Sequence, residues 1–416
     1  RLREDVTFLN HGSFGATPRS VLAAQAALRD ELEAEPVAFF LRRYPLLLDQ
    51  TRAELCAFLG CAAADLVFVA NATTGANTVM ASWPLLRGDE VLTIDHAYPA
   101  CRNALDVCVA KVGATVRTVA LPLPCTEPAA VVDAVVAAIG PRTRYALIDA
   151  VTSPSALVLP VAALVAALRE RGVETLVDAA HAPGMLPLAL DITGAAWTTG
   201  NLHKWACAPK SAAFLHIRRD MQRDAAGRDA IAPLVTSHGH SAAATAQPRL
   251  HQTFDWCGTF DPTAILSIPA ALTAVVETDP DGWPARMARN HALACAMADR
   301  LEASLPCKRL TSDAMSGSMA AVLLDSKADA TLRRLPPIPR GDIAAAVGID
   351  PLQDWLFRVH AIEVPIIAHS GRRFLRVSAQ VYNTLDDVEV LISAVAAGLQ
   401  GCEAGAFTAS AQMATS

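Results

Sequence analysis

Leu176-Val177-Asp178-Ala179-Ala180-His181-Ala182-Pro183-Gly184, followed by Gly200-Asn201-Leu202-His203-Lys204-Trp205, decides how this chain folds. An apolar run, Glu174–Val177, ends in the carboxylate Asp178, and small residues then turn the chain. Lys204 closes a second strand-and-loop unit 26 residues later (204 − 178). Outward from this pair, short β-branched runs alternate with longer Ala- and Leu-rich amphipathic segments from about residue 46 to 220. The runs Leu66–Ala70, Glu90–Ile94, Thr115–Ala120, Arg144–Ala150, Glu174–Val177, Ala195–Thr199 and Ala212–Ile217 predict strands. Thr74–Trp83, Pro99–Val112, Pro128–Ile139 and Val161–Glu170 predict helices between them. Such alternation predicts an α/β domain built on a mostly parallel seven-stranded sheet, with ligands at the carboxyl ends of its strands.

Farther along, Pro269–Val276 and Trp283–Leu305 predict helices, the second long enough to bridge two domains. Met319–Leu324, Arg340–Val347, Ile362–Ile367 and Arg373–Ser378 suggest a smaller α+β domain. The charged, Pro-rich stretch 325–340 reads as a surface loop, and the small, polar tail Gly401–Ser416 as disordered. The expected organisation is an amino-terminal arm over 1–45, a large domain over 46–275, a small domain over 276–400 and the tail.

The 416 residues are 52% hydrophobic and 18% charged, enough to bury a large core. Net charge is −6 with no basic run, so nothing marks a nucleic-acid or anionic-membrane partner. No uninterrupted apolar stretch is long enough for a membrane span, and the charged start Arg1-Leu2-Arg3-Glu4-Asp5 is not a secretory signal. The ten cysteines form no Cys-x-x-Cys pair, which argues against a cysteine-based metal or redox site. Free thiols fit a reducing compartment, and a cytoplasmic location is expected with no metal.

A carboxylate at the end of an apolar strand is costly to bury unless a cation faces it. With a lysine on the loop of the next strand, the layout is that expected for pyridoxal 5'-phosphate: Asp178 holds a proton on the pyridine nitrogen and Lys204 joins the aldehyde. Asn201 and His203 offer donors beside Lys204. Asn71-Ala72-Thr73-Thr74-Gly75-Ala76-Asn77 opens a helix, where hydroxyls and free N–H groups either cradle a phosphate or simply cap the helix. Tyr98, slightly ahead of His96, is the candidate to stack on the cofactor ring. Ser153 either bonds that ring or makes a polar turn, and His181 contacts the ring or a substrate carboxylate. Arg376 lies in an apolar run, and a buried arginine requires an anion such as the carboxylate of an amino acid substrate.

These segments, with Phe8-Leu9-Asn10-His11-Gly12-Ser13-Phe14-Gly15, Trp256-Cys257-Gly258-Thr259 and Arg376-Val377-Ser378-Ala379-Gln380-Val381-Tyr382-Asn383, resemble the class V aminotransferases over roughly residues 6–398. That branch of the fold-type I pyridoxal phosphate enzymes includes cysteine desulfurases, kynureninase-like enzymes and isopenicillin N epimerase, and the last subgroup is the nearest in pattern. The resemblance implies Lys204 as the Schiff-base lysine, Asp178 as the pyridinium partner and His181 as a ring contact. It implies Thr74, Gly75, Asn201 and His203 on the phosphate, Arg376 on the substrate α-carboxylate, and Asn10 and His11 in the entrance segment. Thr259 would reach the phosphate of a second subunit, which implies a homodimer. Cysteine desulfurases carry a nucleophilic cysteine before this arginine, whereas Phe357–Gly371 holds His360 and His369 but no cysteine. The expected activity is therefore at Cα of an amino acid, an epimerase or racemase, with a C–S or β-lyase or an aminotransferase as the alternatives.

Overall fold

The computed structural model describes residues 2–243, 245–335 and 349–403. Near the amino terminus a short strand, β1 (Thr7–Phe8), leads into the arm. The seven expected runs then form one sheet: β2 (Leu66–Val69), β3 (Glu90–Ile94), β4 (Thr115–Val119), β5 (Thr143–Asp149), β6 (Glu174–Asp178), β7 (Trp197–Asn201) and β8 (Ala213–Ile217). Their order across the sheet is β2-β8-β7-β6-β5-β3-β4, and β8 alone runs against the rest. Six strands thus end at one edge, which brings the loops after β2, β3, β5, β6 and β7 together.

Side-chain alternation explains why the sheet is covered on both faces. Leu147 of β5 joins a cluster with Val91, Leu176 and Trp197, while its neighbours Ala146 and Ile148 join Leu92, Ile94 and Leu164 on the other face. Local signals set the helix ends. Pro99 opens the helix Pro99–Val112, whose missing N–H costs nothing at that position, and Gly113 closes it at φ 75°.

The smaller sheet contains β9 (Cys307–Arg309), β10 (Met319–Leu324), β12 (Ile366–His369) and β13 (Arg372–Ser378), ordered β12-β13-β10-β9 and antiparallel throughout. Helices Gly282–Ser304 and Leu385–Glu403 cover it through Leu301, Val322, Leu375 and Leu391. One expected strand, Ile362–Ile367, divides in two. Val364-Pro365 interrupts it because proline has no N–H for the ladder, so β11 (Ile362–Glu363) pairs with β1 in parallel while β12 pairs with β13.

The expected loop over 325–340 is in part a helix, Ser326–Leu332, because the Asp325 carboxylate accepts from the Ala328 N–H at 2.7 Å and caps it. Positions 336–340, the expected strand or helix Arg340–Val347, and 404–416 of the expected tail lie outside the described residues, whereas Gly401–Glu403 finish the last helix. The chain passes residue 45 inside the helix Tyr44–Leu59 and residue 275 inside a 3-10 turn, Ala274–Glu277. No helix among the described residues is long and apolar enough to cross a membrane.

Candidate active site

A cleft of about 490 Å³ opens where the strand ends converge, lined among others by Thr73, Thr74, Tyr98, Ser153, Asp178, His181, Asn201, His203 and Lys204. A larger cavity of about 780 Å³ lies elsewhere, against His11, Cys207 and Tyr382, and holds none of the cleft's charged groups.

Lys204 and Asp178 share this cleft; Asp178 is buried and Lys204 half-buried. Burial pulls the Lys204 amine down to about 8 despite the opposing pull of Asp178. Its Nζ lies 3.1 Å from His181 Nε2. The other ring nitrogen, His181 Nδ1, accepts from the Trp205 indole N–H at 3.4 Å. An indole only donates, so a neutral His181 carries its proton on Nε2 and can donate to Lys204 once that amine has lost its own proton. Burial and the nearby cations hold His181 neutral, well below its ordinary range.

Asp178 accepts from the Ala180 N–H at 2.9 Å and from the Cys101 thiol at 3.2 Å. Burial raises its pKa. At the same register on the adjacent strand lies a second buried carboxylate, Asp149, raised further by burial and by Asp178 itself. Two carboxylates side by side at a strand edge disfavour each other's ionisation, and a pyridinium against them reverses that penalty. The site thus fits the cofactor on its own terms.

For a phosphate, the helix Ala72–Ser82 supplies its first turn. Asn71 caps it by accepting from the Thr74 N–H at 2.8 Å, and Asn201 Oδ1 accepts from the Ala72 N–H at 2.9 Å, which leaves the Asn201 amide nitrogen to donate elsewhere. Thr73, Thr74, Asn201 and His203 line the cleft here, and His203 Nδ1 is buried without a partner. Gly75 does not line it. Its role is close approach, since a Cβ there would meet Thr199 Oγ1 at 2.1 Å.

Arg376, on β13, reaches the cleft through Ser153 and Ser13. One Nη donates to the Ser153 carbonyl and, at 3.2 Å, to its hydroxyl; the other donates to Ser13 Oγ at 3.3 Å. Nε is buried without a partner. The buried arginines 52, 286 and 373 each pair with a carboxylate, Asp255, Asp279 and Asp329 respectively, whereas Arg376 has none among the described residues. Burial lowers it to about 10.

Besides Gly75, three expected site residues stand apart from the cleft. Asn10 and His11 do not line the cleft: Asn10 bonds Glu363 at 3.0 Å, and His11, tilted against Trp205, bonds the Tyr382 hydroxyl at 2.7 Å and the Lys204 carbonyl at 3.0 Å. His11 is wholly buried, so it braces the lysine's backbone, and the next residues, Ser13 and Phe14, form the wall instead. Thr259 is exposed and outside the cleft. His96 turns away from the cleft, so of the two ring candidates only Tyr98 lines it. Asp149 escaped the sequence reading, although its place at the end of β5 mirrors that of Asp178 on β6.

A seven-stranded α/β sheet with a buried lysine, a paired carboxylate and a helix-borne phosphate cradle at its carboxyl edge defines a pyridoxal 5'-phosphate enzyme of fold type I. The family profile "Aminotransferase class-V" matches residues 38–391, and the chain belongs to that family. It is 33% identical to a Streptomyces clavuligerus protein named isopenicillin N epimerase, over 94% of both chains. It is 27% identical to an Arabidopsis thaliana protein named L-cysteine desulfhydrase, over 94% of this chain and 87% of that one. Among solved structures, the cystine C-S lyase C-DES with its product cysteine persulfide superposes with a TM-score of 0.74 at 19% identity, covering 94% of this chain and 98% of that one.

Proposed function

We propose that this chain moves the α-proton of an amino acid, acting as an epimerase or racemase. One observation carries the reading: Arg376, a buried guanidinium with no carboxylate among the described residues, lies beside a cleft lined by one lysine amine, Lys204. The α-carboxylate of a substrate satisfies the first and places Cα against the second. When bound, pyridoxal 5'-phosphate supplies an electron sink linked to the substrate nitrogen, which acidifies the bonds at Cα.

The residues then divide the work. Asp178, backed by Asp149, holds a proton on the ring nitrogen; Thr73, Thr74, Asn201 and His203 hold the phosphate. Lys204, tuned to about 8, is the base at Cα, close to the working pH where general bases are most effective. Tyr98, which lines the cleft and whose hydroxyl pKa is shifted upward by partial desolvation, is the acid for the opposite face. In a homodimer Thr259 would serve the phosphate of the partner's site.

The names of the relatives support a second outcome, elimination of a β-sulfur group. Cys101, the thiol at the site, bonds Asp178 and is held protonated by burial, which makes it a poor persulfide nucleophile and disfavours a desulfurase. Incubating the holoenzyme with an amino acid panel in deuterated water decides between outcomes. Deuterium at Cα with loss of chirality supports the proposal; pyruvate and sulfide release transfers it to the lyase; neither result with any substrate class refutes both.

A further inference from the structure

Away from the cleft, the loop after β3 and the end of β12 meet. Asp95 Oδ1 lies 3.8 Å from His96 Nε2, and Asp95 Oδ2 lies 4.0 Å from His369 Nε2. All three donor groups fall within 4.8 Å of one another, with the two rings 4.2 Å apart. Three electron-pair donors from two domains therefore converge on one point.

His96 is the informative member. Its side chain is fully buried, and its Nε2, which faces this point, has no hydrogen-bond partner. The other nitrogen, Nδ1, bonds Ser155 Oγ at 2.6 Å, and Ser155 is held in turn by Thr152 at 2.7 Å. With the proton on Nδ1, Nε2 presents a bare lone pair to a carboxylate. This is unfavourable by itself, but it is the arrangement of a metal-bound imidazole, whose far N–H is fixed by a second hydrogen bond. Asp95 is steadied by the Leu121 N–H, which donates to Oδ1 at 3.0 Å.

We propose that Asp95, His96 and His369 bind one divalent transition-metal ion of the zinc class, clamping the loop after β3 to the β12–β13 hairpin. Tetrahedral geometry with bonds of about 2.0–2.1 Å sets donor separations near 3.4 Å, so the spacings of 3.8 and 4.0 Å to the two Asp95 oxygens, and the imidazole pair within 4.8 Å, contract on binding. Two imidazoles and one carboxylate suit this class; magnesium and calcium require more oxygens. His369 and Asp95 are partly exposed, which leaves the fourth position to water. The clamp ties the hairpin bearing Arg376 to the segment bearing Tyr98 and, through Ser155, to Ser153.

The test uses tag-free holoenzyme freed of metal with a chelator and titrated with Co²⁺. The expected result is one ion per chain with a tetrahedral visible spectrum and no thiolate charge-transfer band, displaced by Zn²⁺. Since loss of even a supporting group costs about 10–100-fold in affinity, His369→Ala and, separately, Asp95→Asn should weaken binding by no less than about tenfold. Each variant's fold is checked by circular dichroism and by its cofactor absorbance. No stoichiometric binding, binding unchanged in both variants, or a thiolate signature overturns the site. None of these readouts depends on catalysis, so the proposed reaction stands or falls separately.

Discussion

Replacing Arg376 with methionine separates two properties that arginine burial usually merges. Its near neighbour Arg373, on the same strand, is equally buried but ion-paired to Asp329 and to Asp350, the latter at 3.0 Å. Breaking such a buried pair leaves Asp350 without its cation and Asp329 with Arg333 alone, so Arg373→Met should destabilise the fold by about 3 kcal/mol. Arg376 has no carboxylate, and its fall from 12.5 to about 10 corresponds to a burial cost on the order of 3 kcal/mol. Its three neutral hydrogen bonds return a similar sum at about 1 kcal/mol each. Arg376→Met should therefore change stability by about 1 kcal/mol or less in chemical denaturation. Function responds in the opposite order. Losing the substrate's carboxylate partner should lower kcat/KM for Cα deuterium exchange by about two to three and a half orders of magnitude, with the preference for a free amino acid over its amide collapsing. If Arg376→Met unfolds as readily as Arg373→Met while exchange continues at the original rate, Arg376 is a structural residue and the substrate site is elsewhere.

Three further outcomes follow from the same geometry. In cofactor-free protein, Lys204→Met should raise stability by an amount on the order of 3 kcal/mol at pH 7, because a lysine depressed from 10.5 to about 8 costs most where both states are protonated. That gain should fade as pH rises from about 8 to 10.5, and an equal gain in melting temperature at both ends would contradict the burial argument. Tyr98→Phe should keep Cα exchange with retention of configuration while losing inversion, read by chiral chromatography; undiminished inversion removes Tyr98 as the second acid. Gly75→Ala drives a methyl into Thr199 Oγ1, which bonds the Phe214 carbonyl at 2.9 Å, and should cost about 1–3 kcal/mol with weaker cofactor retention. Adding Thr199→Ala should recover most of the loss, and an absence of coupling would place the strain elsewhere.

The large sheet was legible because its signals are local. Each strand is a short apolar run, and Pro99 and Gly113 mark a helix that begins and ends where expected. Lys204 and Asp178 were legible for the same reason, since both sit at strand ends within one short stretch. What sequence conceals is direction and partnership. Asn10-His11-Gly12-Ser13 reads as one polar entrance segment, yet packing against Trp205 turns His11 inward and leaves Ser13 to face Arg376. The break at Pro365 was visible as a residue but not as two strands serving different partners. Asp95, His96 and His369 share a point in space only because β3 and β12 belong to sheets that meet, a tertiary fact with no local trace.

The pairing of β1 with β11 has a mechanical consequence. Leu9 bonds Glu363 and Ser378 through its backbone, and Gly12 packs on Met319, so the arm is stitched to the small sheet. Three residues later, at Gly15 with φ 70°, it lies against the His203 carbonyl on the other side of the mouth. Ser13 and Arg376, joined by a hydrogen bond of 3.3 Å, therefore belong to the same stitched unit. One wall of the doorway is thus a single stitched unit of arm and small sheet, and Gly15 is the point where that unit touches the large sheet's lysine loop.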